Sequence, residues 1–343
     1  MQNRKRHVAQ LILLAVGLLV ASVLGVALGS VTLAPGDILR SLAHLPAAGR
    51  PAVGVDAIIW QLRLPRVILA WLVGAGLSLA GAAFQGLFRN PLADPFILGI
   101  SAGGSLGAAL AILASLQLAW SGMQLVPPAA FVGSLLTVAL VYMLARAPGR
   151  LSSLNLVLAG VAVSAFLSSV LAFLTSISSD ATQKAISFWL VGGLTAASWQ
   201  HVVLAAPYLI VGGVAMLVLA RDMNLLALGE ETAQQLGVNV GLVQVVLVVA
   251  ASLTTAAAVA VTGVIGFVGL VVPHLTRLWV GPDHRWLLPA SALSGAAFLV
   301  LADTIGRTLW SPLEVRVGII TGLVGGPFFL YLLRRSLRRG VSG

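Results

Sequence analysis

One stretch of the sequence has the spacing of a catalytic nucleophile. Residues 99–103, Gly-Ile-Ser-Ala-Gly, fit the G-x-S-x-G pattern that exposes a reactive serine in α/β hydrolases. That pattern needs a strand before the serine, a helix after it, and an acid and a histidine as partners. Here Ser101 opens an apolar run in which Gly99, Gly103 and Gly107 recur every four residues, a spacing typical of closely packed membrane helices. We predict close helix packing and no catalytic residue, with an intramembrane serine hydrolase as an alternative hypothesis.

Metal-binding and phosphate-binding patterns are missing from the sequence. No pair of its five histidines has metal-ligand spacing, and we predict that His274, after Pro273, packs and hydrogen-bonds rather than binding a metal or haem. The only lysines are Lys5 and Lys184, and neither lies in a glycine-rich G-x-x-x-x-G-K-[ST] loop. We therefore predict no metal and no cofactor on this chain. Any ATP and Mg²⁺ must be bound by another protein.

The elements that position these residues follow from the composition. Of 343 residues, 59% are hydrophobic and 9% charged, with a mean hydropathy of +1.03, whereas a soluble protein carries about 25% charged residues. The apolar runs are continuous, which predicts helices, and about 20 residues cross a bilayer. We predict an all-α polytopic membrane protein, a single domain over residues 1–343. Its ten spans are 8–29, 67–86, 96–116, 129–145, 154–176, 202–220, 240–260, 264–280, 286–303 and 317–333.

Basic residues indicate how these spans are oriented. Ten spans put both termini on one side, and a cytoplasmic start and finish places 13 basic residues inside and 7 outside, as the positive-inside rule requires. The net charge of +10 is then a topology signal, with no nucleic acid as partner. The run from Val8 to Gly29 is longer than the core of a secretory signal, so we interpret it as an uncleaved first span. The absence of cysteine excludes disulfides.

Charged residues are nearly absent from the predicted span interiors. An ion-coupled secondary transporter, a second hypothesis, normally keeps acids at mid-depth as its coupling site. Here Asp303 comes nearest, and it precedes Arg307 by four residues. That spacing predicts a helical ion pair, with a proton relay as the alternative. The energy for any transport must then come from elsewhere.

A polar island interrupts the apolar chain at 224-NLLALGEETAQQLGVNVG-241. The pattern predicts a short helix over 230–236 with Glu230 and Glu231 in its first turn, closed by Gly237 in a left-handed conformation. Ala233, Leu236 and Val240 share one face and should lean on the membrane domain, because two turns of helix are not stable alone. From spacing alone, a solvated connector and an interface helix fit equally well.

Longer motifs resemble one family. The segment LALGEETAQQLGVNV is similar to the cytoplasmic coupling segment of the FecCD family, the ABC importer permeases for iron siderophores, haem and cobalamin. In the same order come 63-RLPRVILAWLVGAGLSLAGAAFQGLFRNPLADPFILGISAG-103, 266-GFVGLVVPHLTRLWVGPDHRWLLP-289, LADTIGR and 315-VRVGIITGLVGGPFFLYLLRR-335. The resemblance covers about residues 60–335. It implies the type II ABC importer permease fold in a bacterial inner membrane.

The resemblance also implies partners. These are a second copy of the chain, two ATP-binding cassette subunits below the membrane and a periplasmic substrate-binding protein above it. The expected substrate is an iron chelate, haem or a siderophore, with cobalamin as the alternative. The chain itself is then a transport subunit and not an enzyme.

Three groups of site residues carry over from the family. The cytoplasmic coupling segment, about residues 221–239, would contact the ATPase through Leu228, Gly229, Glu230, Glu231, Thr232, Ala233, Gln234, Gln235, Leu236 and Gly237. Arg63, Arg66 and Arg307 would dock the binding protein, or else anchor lipid headgroups. Ser152, Ser153 and Leu154 match the cytoplasmic gate only loosely, and the serines could equally be helix caps.

Overall fold

The computed structural model describes residues 2–29, 31–43, 53–117, 122–147, 150–151 and 153–340. Within these ranges the chain forms fifteen α-helices. They are α1 Gln2–Ala27, α2 Pro35–Ala43, α3 Val55–Ala57, α4 Leu64–Leu87, α5 Ile100–Gln117, α6 Val126–Ala145, α7 Ser153–Ser176, α8 Asp180–Leu190, α9 Trp199–Val218, α10 Ala220–Ala227, α11 Glu230–Gln235, α12 Val240–Thr262, α13 Val268–Val280, α14 His284–Thr308 and α15 Val317–Gly340.

Short irregular elements complete the described chain. A π-helical segment, Ile58–Arg63, joins α3 to α4, and 3₁₀ turns cover Pro95–Leu98 and Gly122–Leu125. Strands β1 Arg146–Ala147 and β2 Arg150–Leu151 form a two-residue antiparallel ladder with Arg146 opposite Leu151.

Each of the ten predicted spans corresponds to one apolar helix. In the described residues, seven helices are long and apolar enough to cross a membrane, and Ile100–Ser115, Val268–Val280 and Val317–Leu332 are shorter apolar helices. The all-α polytopic prediction is confirmed. The second span differs from its prediction, because helical structure begins at Val55 and not at residue 67. The π segment ends at Arg63, two residues before Pro65. Proline has no N–H to donate, so the hydrogen bonding of a helix is irregular near it.

The centre of the bundle is built from α4, α12 and α14. The apolar stretches of α4 and α12 are 78% and 72% buried, whereas that of α7 is only 17% buried, so α7 lies at the periphery of the single chain. Glycines allow the central helices to touch through their backbones. A Cβ added at Gly81 of α4 would lie 1.8 Å from the carbonyl oxygen of Gly269 in α13. One added at Gly74 would lie 2.3 Å from that of Gly295 in α14.

The glycines around Ser101 bring α5 against α6. A Cβ at Gly103 would meet the Gly133 carbonyl oxygen at 2.5 Å, and one at Gly107 would meet that of Ala129 at 2.3 Å. The close packing predicted from their spacing is confirmed. The segment before Ser101 is a 3₁₀ turn capped by Asp94, whose carboxylate accepts from the Phe96 amide at 2.8 Å. The strand that a nucleophile elbow requires is therefore replaced by a helical turn here.

The bundle has two ends, which we name by their contents. The α11 face holds α10, α11, the end of α4 and the beginnings of α12 and α14. At the opposite end, the arginine face, the beginning of α4 meets the end of α14 and the end of α1. Helices α4 and α14 connect the two faces and pack along each other between them.

Candidate functional site

The polar island forms a short helix that ends one residue before the predicted end at 236. Helix α11 covers Glu230–Gln235 and lies between two glycines in left-handed or extended positive-φ conformations, Gly229 at φ +125° and Gly237 at φ +86°. The Gly237 amide donates to the Gln234 carbonyl oxygen at 3.0 Å, and the Val238 amide donates to that of Ala233 at 3.0 Å. This return of the chain satisfies the last carbonyls of the helix.

One side of α11 is anchored and the other is open. Ala233 is completely buried and Val240 nearly so, whereas Leu228 and Leu236 are 64% and 55% exposed. The prediction that Leu236 shares the buried face is wrong, because α11 ends one residue earlier and the chain has already begun to turn. The open side therefore carries two exposed leucines beside acidic and amide side chains, which suits a protein contact better than a solvated connector.

A side-chain hydrogen bond joins α11 to the bundle. Glu230 accepts from the Gln244 amide of α12 at 3.0 Å, and both Glu230 and Glu231 are exposed. Both acids lie in the first turn of α11, where the positive end of the helix dipole stabilises them. Of the two predicted contact acids, Glu230 is thus tied to α12 by a hydrogen bond, and both side chains are accessible.

The three arginines predicted to dock a partner lie together at the arginine face. Arg66 binds Asp303 through Nε and Nη2 at 2.9–3.1 Å and reaches Glu314 with Nη1 at 3.0 Å. The Nε of Arg307 lies 3.2 Å from the second oxygen of Asp303, so the predicted ion pair at four-residue spacing is confirmed. We call Arg63, Arg66, Asp303, Arg307 and Glu314 the arginine cluster.

Two members of the arginine cluster hold the end of α1. Arg63 donates to the carbonyl oxygens of Val26 at 2.5 Å and Ala27 at 2.9 Å, and also to that of Val31. Arg307 donates to the Gly25 carbonyl oxygen at 2.8 Å. Cations at the carbonyl end of a helix are stabilising there.

Burial limits what these arginines can offer to a partner. Arg63 and Arg307 are 5% and 4% exposed, and Arg66 is ion-paired on both sides. In this conformation the arginine cluster connects α1, α4 and α14. Docking of a binding protein by Arg63, Arg66 and Arg307 stays a prediction, as does headgroup anchoring. Direct contact would require guanidinium groups to leave the carbonyls and carboxylates that they now bind.

The predicted gate lies at the beginning of α7. Ser152 falls outside the described residues, and Ser153 is the first residue of the helix. Leu154 is 65% exposed in the single chain. The gate therefore stays a prediction. It lies at the beginning of α7, the candidate span that the single chain buries least.

Other candidate residues have structural surroundings. The His274 ring lies edge-on to Phe328, with ring centroids 6.1 Å apart, in the packing environment that the sequence predicts. Among the described residues, no group of three or more His, Asp or Glu side chains is arranged to hold a metal ion. In the loop after α4, burial raises the pKa of Asp94 to about 6, although the hydrogen bond from Phe96 lowers it.

Several contact residues were missed by the sequence reasoning. Arg89 and Glu314 bind partners more than 100 residues away in the chain, and Asn224 binds one 59 residues away. No local pattern indicates such pairs. Asp283 had a usable signal, because an Asp directly before an apolar helical run is a typical N-cap. It caps α14 by accepting from the Arg285 amide at 3.0 Å.

The fold and these two faces define a class of protein, a polytopic permease with the type II ABC importer fold. One solved structure, described as an inward-facing conformation of a metal-chelate type ABC transporter, superposes with a TM-score of 0.81 at 32% identity, covering 95% of this chain and 98% of that one. The sequence model of the FecCD transport family matches residues 17–335. The chain belongs to the FecCD transport family, which confirms the resemblance seen in its motifs.

Relatives of this chain are named for different transported substrates. The cobalamin import system permease protein BtuC of Halobacterium salinarum is 49% identical over 279 residues, covering 81% of this chain and 74% of that protein. The hemin transport system permease protein HmuU of Yersinia pestis is 45% identical over 285 residues, covering 81% of this chain and 84% of that protein.

Proposed function

We propose that this chain is the membrane-spanning subunit of an ATP-driven importer that takes up an iron chelate, haem or a siderophore, delivered by a periplasmic binding protein. The observation that carries the proposal is α11, a short exposed helix on an ABC importer permease of the FecCD family. The haem-permease relative and the metal-chelate transporter of the same fold support an iron chelate as substrate. The chain would lie in the bacterial inner membrane, and its basic residues favour both termini in the cytoplasm.

The work of transport enters through α11. Its open side would enter a cleft of the ATP-binding cassette subunit, where Glu231, Gln234 and Gln235 supply polar contacts and Leu228 and Leu236 supply apolar ones. ATP and Mg²⁺ belong to that partner, and the chain bears no cofactor of its own. Closure of two cassette subunits around ATP would displace α11, and its contacts with α12 would pass the displacement on.

The substrate path lies between two copies of this chain. Helix α7 supports this arrangement, because it is apolar along 23 residues and only 17% of its apolar stretch is buried by its own chain. The predicted gate residues Ser152, Ser153 and Leu154 are at its beginning. Substrate would pass along apolar and small side chains, and the binding protein would set most of the selectivity. That protein would dock at the arginine face, with Arg63, Arg66 and Arg307.

Reconstitution tests the proposal. The permease, its cognate ATPase and its cognate binding protein are placed in proteoliposomes and offered haem, a ferric hydroxamate siderophore or cyanocobalamin. We expect ATP-dependent uptake of one iron chelate that requires the binding protein. Uptake driven by an ion gradient without ATP would overturn the importer and favour a secondary transporter.

A second candidate substrate is cobalamin. The relative that favours it is 49% identical to this chain, against 45% for the haem permease. The two identities are similar, and both ligands are large metal chelates. In the same proteoliposomes, uptake of cyanocobalamin and of no iron chelate would decide for cobalamin.

A further inference from the structure

Helix α10 stands between α9 and the exposed α11, and it is fixed to the bundle on two sides. Its apolar residues Met223 and Leu226 are 2% and 4% exposed. Only two residues, Leu228 and Gly229, separate its end from the beginning of α11. The contacts that hold α10 therefore determine which other helices move when α11 is displaced.

The first contact comes from the end of α4. Arg89 donates from Nη2 to the carbonyl oxygen of Leu226 at 2.7 Å, so a cation lies at the carbonyl end of α10. Arg89 adopts φ +48°, an uncommon conformation for a residue other than glycine. This left-handed turn ends α4 and directs the chain so that the guanidinium reaches α10.

The second contact comes from the beginning of α14. The Asn224 side-chain amide donates to Asp283 at 2.6 Å, and its oxygen lies 2.9 Å from the His284 amide and 2.8 Å from His284 Nδ1. His284 is 5% exposed. A Cβ at Gly86 of α4 would lie 2.8 Å from His284 Nε2 and 2.9 Å from Met223 Cε, so α4, α10 and α14 meet at that glycine.

Helices α4 and α14 also remain together away from α10. Their backbones touch at Gly74 and Gly295 in the middle of the bundle. At the arginine face, Arg66 of α4 binds Asp303 of α14. Contacts at the α11 face, at the centre and at the arginine face therefore make the α4–α14 pair a rigid connection from one face to the other.

We infer that Arg89 and Asn224 are positioning residues that connect α10 to the α4–α14 pair, so that a displacement of α11 reaches the arginine face as a rigid-body movement. This inference rests on the proposed function, in which α11 receives the displacement. A displacement of α11 is then transmitted along two routes. One runs to α12 through Glu230 and Gln244, and the other runs to the α4–α14 pair through Arg89 and Asn224.

A charge exchange tests the second contact. Asn224→Asp places two carboxylates against each other and breaks it. Adding Asp283→Asn restores a donor opposite an acceptor, and Asn is as good an N-cap for α14 as Asp. Asn90→Ala is the matched control, because Asn90 is exposed on the same face and bonds only locally, to the Leu92 amide.

The transport readout is the amount of substrate taken up per ATP hydrolysed in the reconstituted complex. We expect Asn224→Asp and Arg89→Ala to leave ATP hydrolysis by the partner subunit running while uptake per ATP falls about tenfold, the usual size of a coupling between two sites. The exchanged pair and Asn90→Ala should match the parent protein. Equal uptake per ATP in Asn224→Asp and the parent would overturn the inference.

A distance readout separates this inference from the proposed function. The chain has no cysteine, so spin labels can be attached at Gln234→Cys on α11 and Leu301→Cys on α14, both exposed. In purified permease whose labelled copies are diluted with excess unlabelled copies, so that distances within one chain dominate, we expect one narrow distance, broadened by Asn224→Asp and narrowed again by the exchange. No broadening would overturn the inference even if uptake needs ATP. Broadening without any ATP-dependent uptake by the parent complex would instead overturn the proposed function.

Discussion

The arginine cluster predicts a large stability cost for a single lost charge. Asp303→Asn keeps the size of the side chain but removes the negative charge between Arg66 and Arg307. The Asp303 side chain is 5% exposed and those of its two cationic partners are 11% and 4% exposed, so water cannot replace the lost carboxylate. Arg66 retains Glu314, but Arg307 is left with carbonyl and hydroxyl acceptors.

The magnitude follows from this burial. Removing one partner of a buried ion pair costs about 3–5 kcal/mol, because an uncompensated charge stays behind. For a chain of this size we expect the apparent melting temperature in detergent to fall by about 4–7 °C. The matched control is Asp37→Asn, whose partner Arg40 is 3.9 Å away, with side-chain exposures of 43% for Asp37 and 81% for Arg40. An exposed pair of this kind contributes about 0–1 kcal/mol.

The assay is thermal unfolding of the purified permease without any partner, followed by size-exclusion chromatography after heating. A double variant, Asp303→Asn with Arg66→Gln, should cost less than the sum of the two single variants, since each removes the same contact. The reasoning that this cluster stabilises the bundle is refuted if Asp303→Asn has the same melting temperature as Asp37→Asn. It is also refuted if the loss of stability in the double variant equals the sum of the two single losses.

Three further predictions follow from single residues. Arg63→Met should lower the melting temperature of the isolated permease, because it frees carbonyl groups at the end of α1; an unchanged melting temperature with weaker binding-protein affinity, measured by titration, would instead support docking. Gly81→Ala should prevent accumulation of folded protein, because the added Cβ would lie 1.8 Å from a carbonyl oxygen. The control Gly241→Ala should accumulate normally, because its added Cβ would lie 3.9 Å from the nearest atom. Accumulation of both variants is measured by the fluorescence of a fused reporter. Burial raises the pKa of Asp94, so its stabilising contribution is present below pH ~4 and is lost as the pH rises through about 6. The melting temperature of Asp94→Asn should therefore rise relative to that of the parent protein across this pH range. Parallel curves of melting temperature against pH for the two proteins would contradict this.

Local patterns predicted those parts of the site that are close together in the chain. The left-handed Gly237, the short acidic helix before it and the Asp303–Arg307 pair all depend on neighbours within four residues. The misplaced Leu236 shows where this reasoning ends. Helical periodicity assigns it to the buried face, but the helix stops at Gln235, and the position of such a boundary depends on the turn that follows.

By itself, the sequence determined a bundle of ten apolar helices, because continuous apolar runs have to cross the bilayer as helices with internally satisfied backbones. Its longer motifs, and not the apolar runs, indicated the FecCD family. Only the tertiary structure decided which helices touch. Arg66 and Asp303 are 237 residues apart, and Asn224 and Asp283 are 59 apart, so their pairing depends on how helices pack. That packing is set by backbone approach at glycines such as Gly74 and Gly81, which no local periodicity specifies. Arg63, Arg66 and Arg307, which the resemblance assigned to a binding protein, bind groups of their own chain because helix packing brings those groups to them.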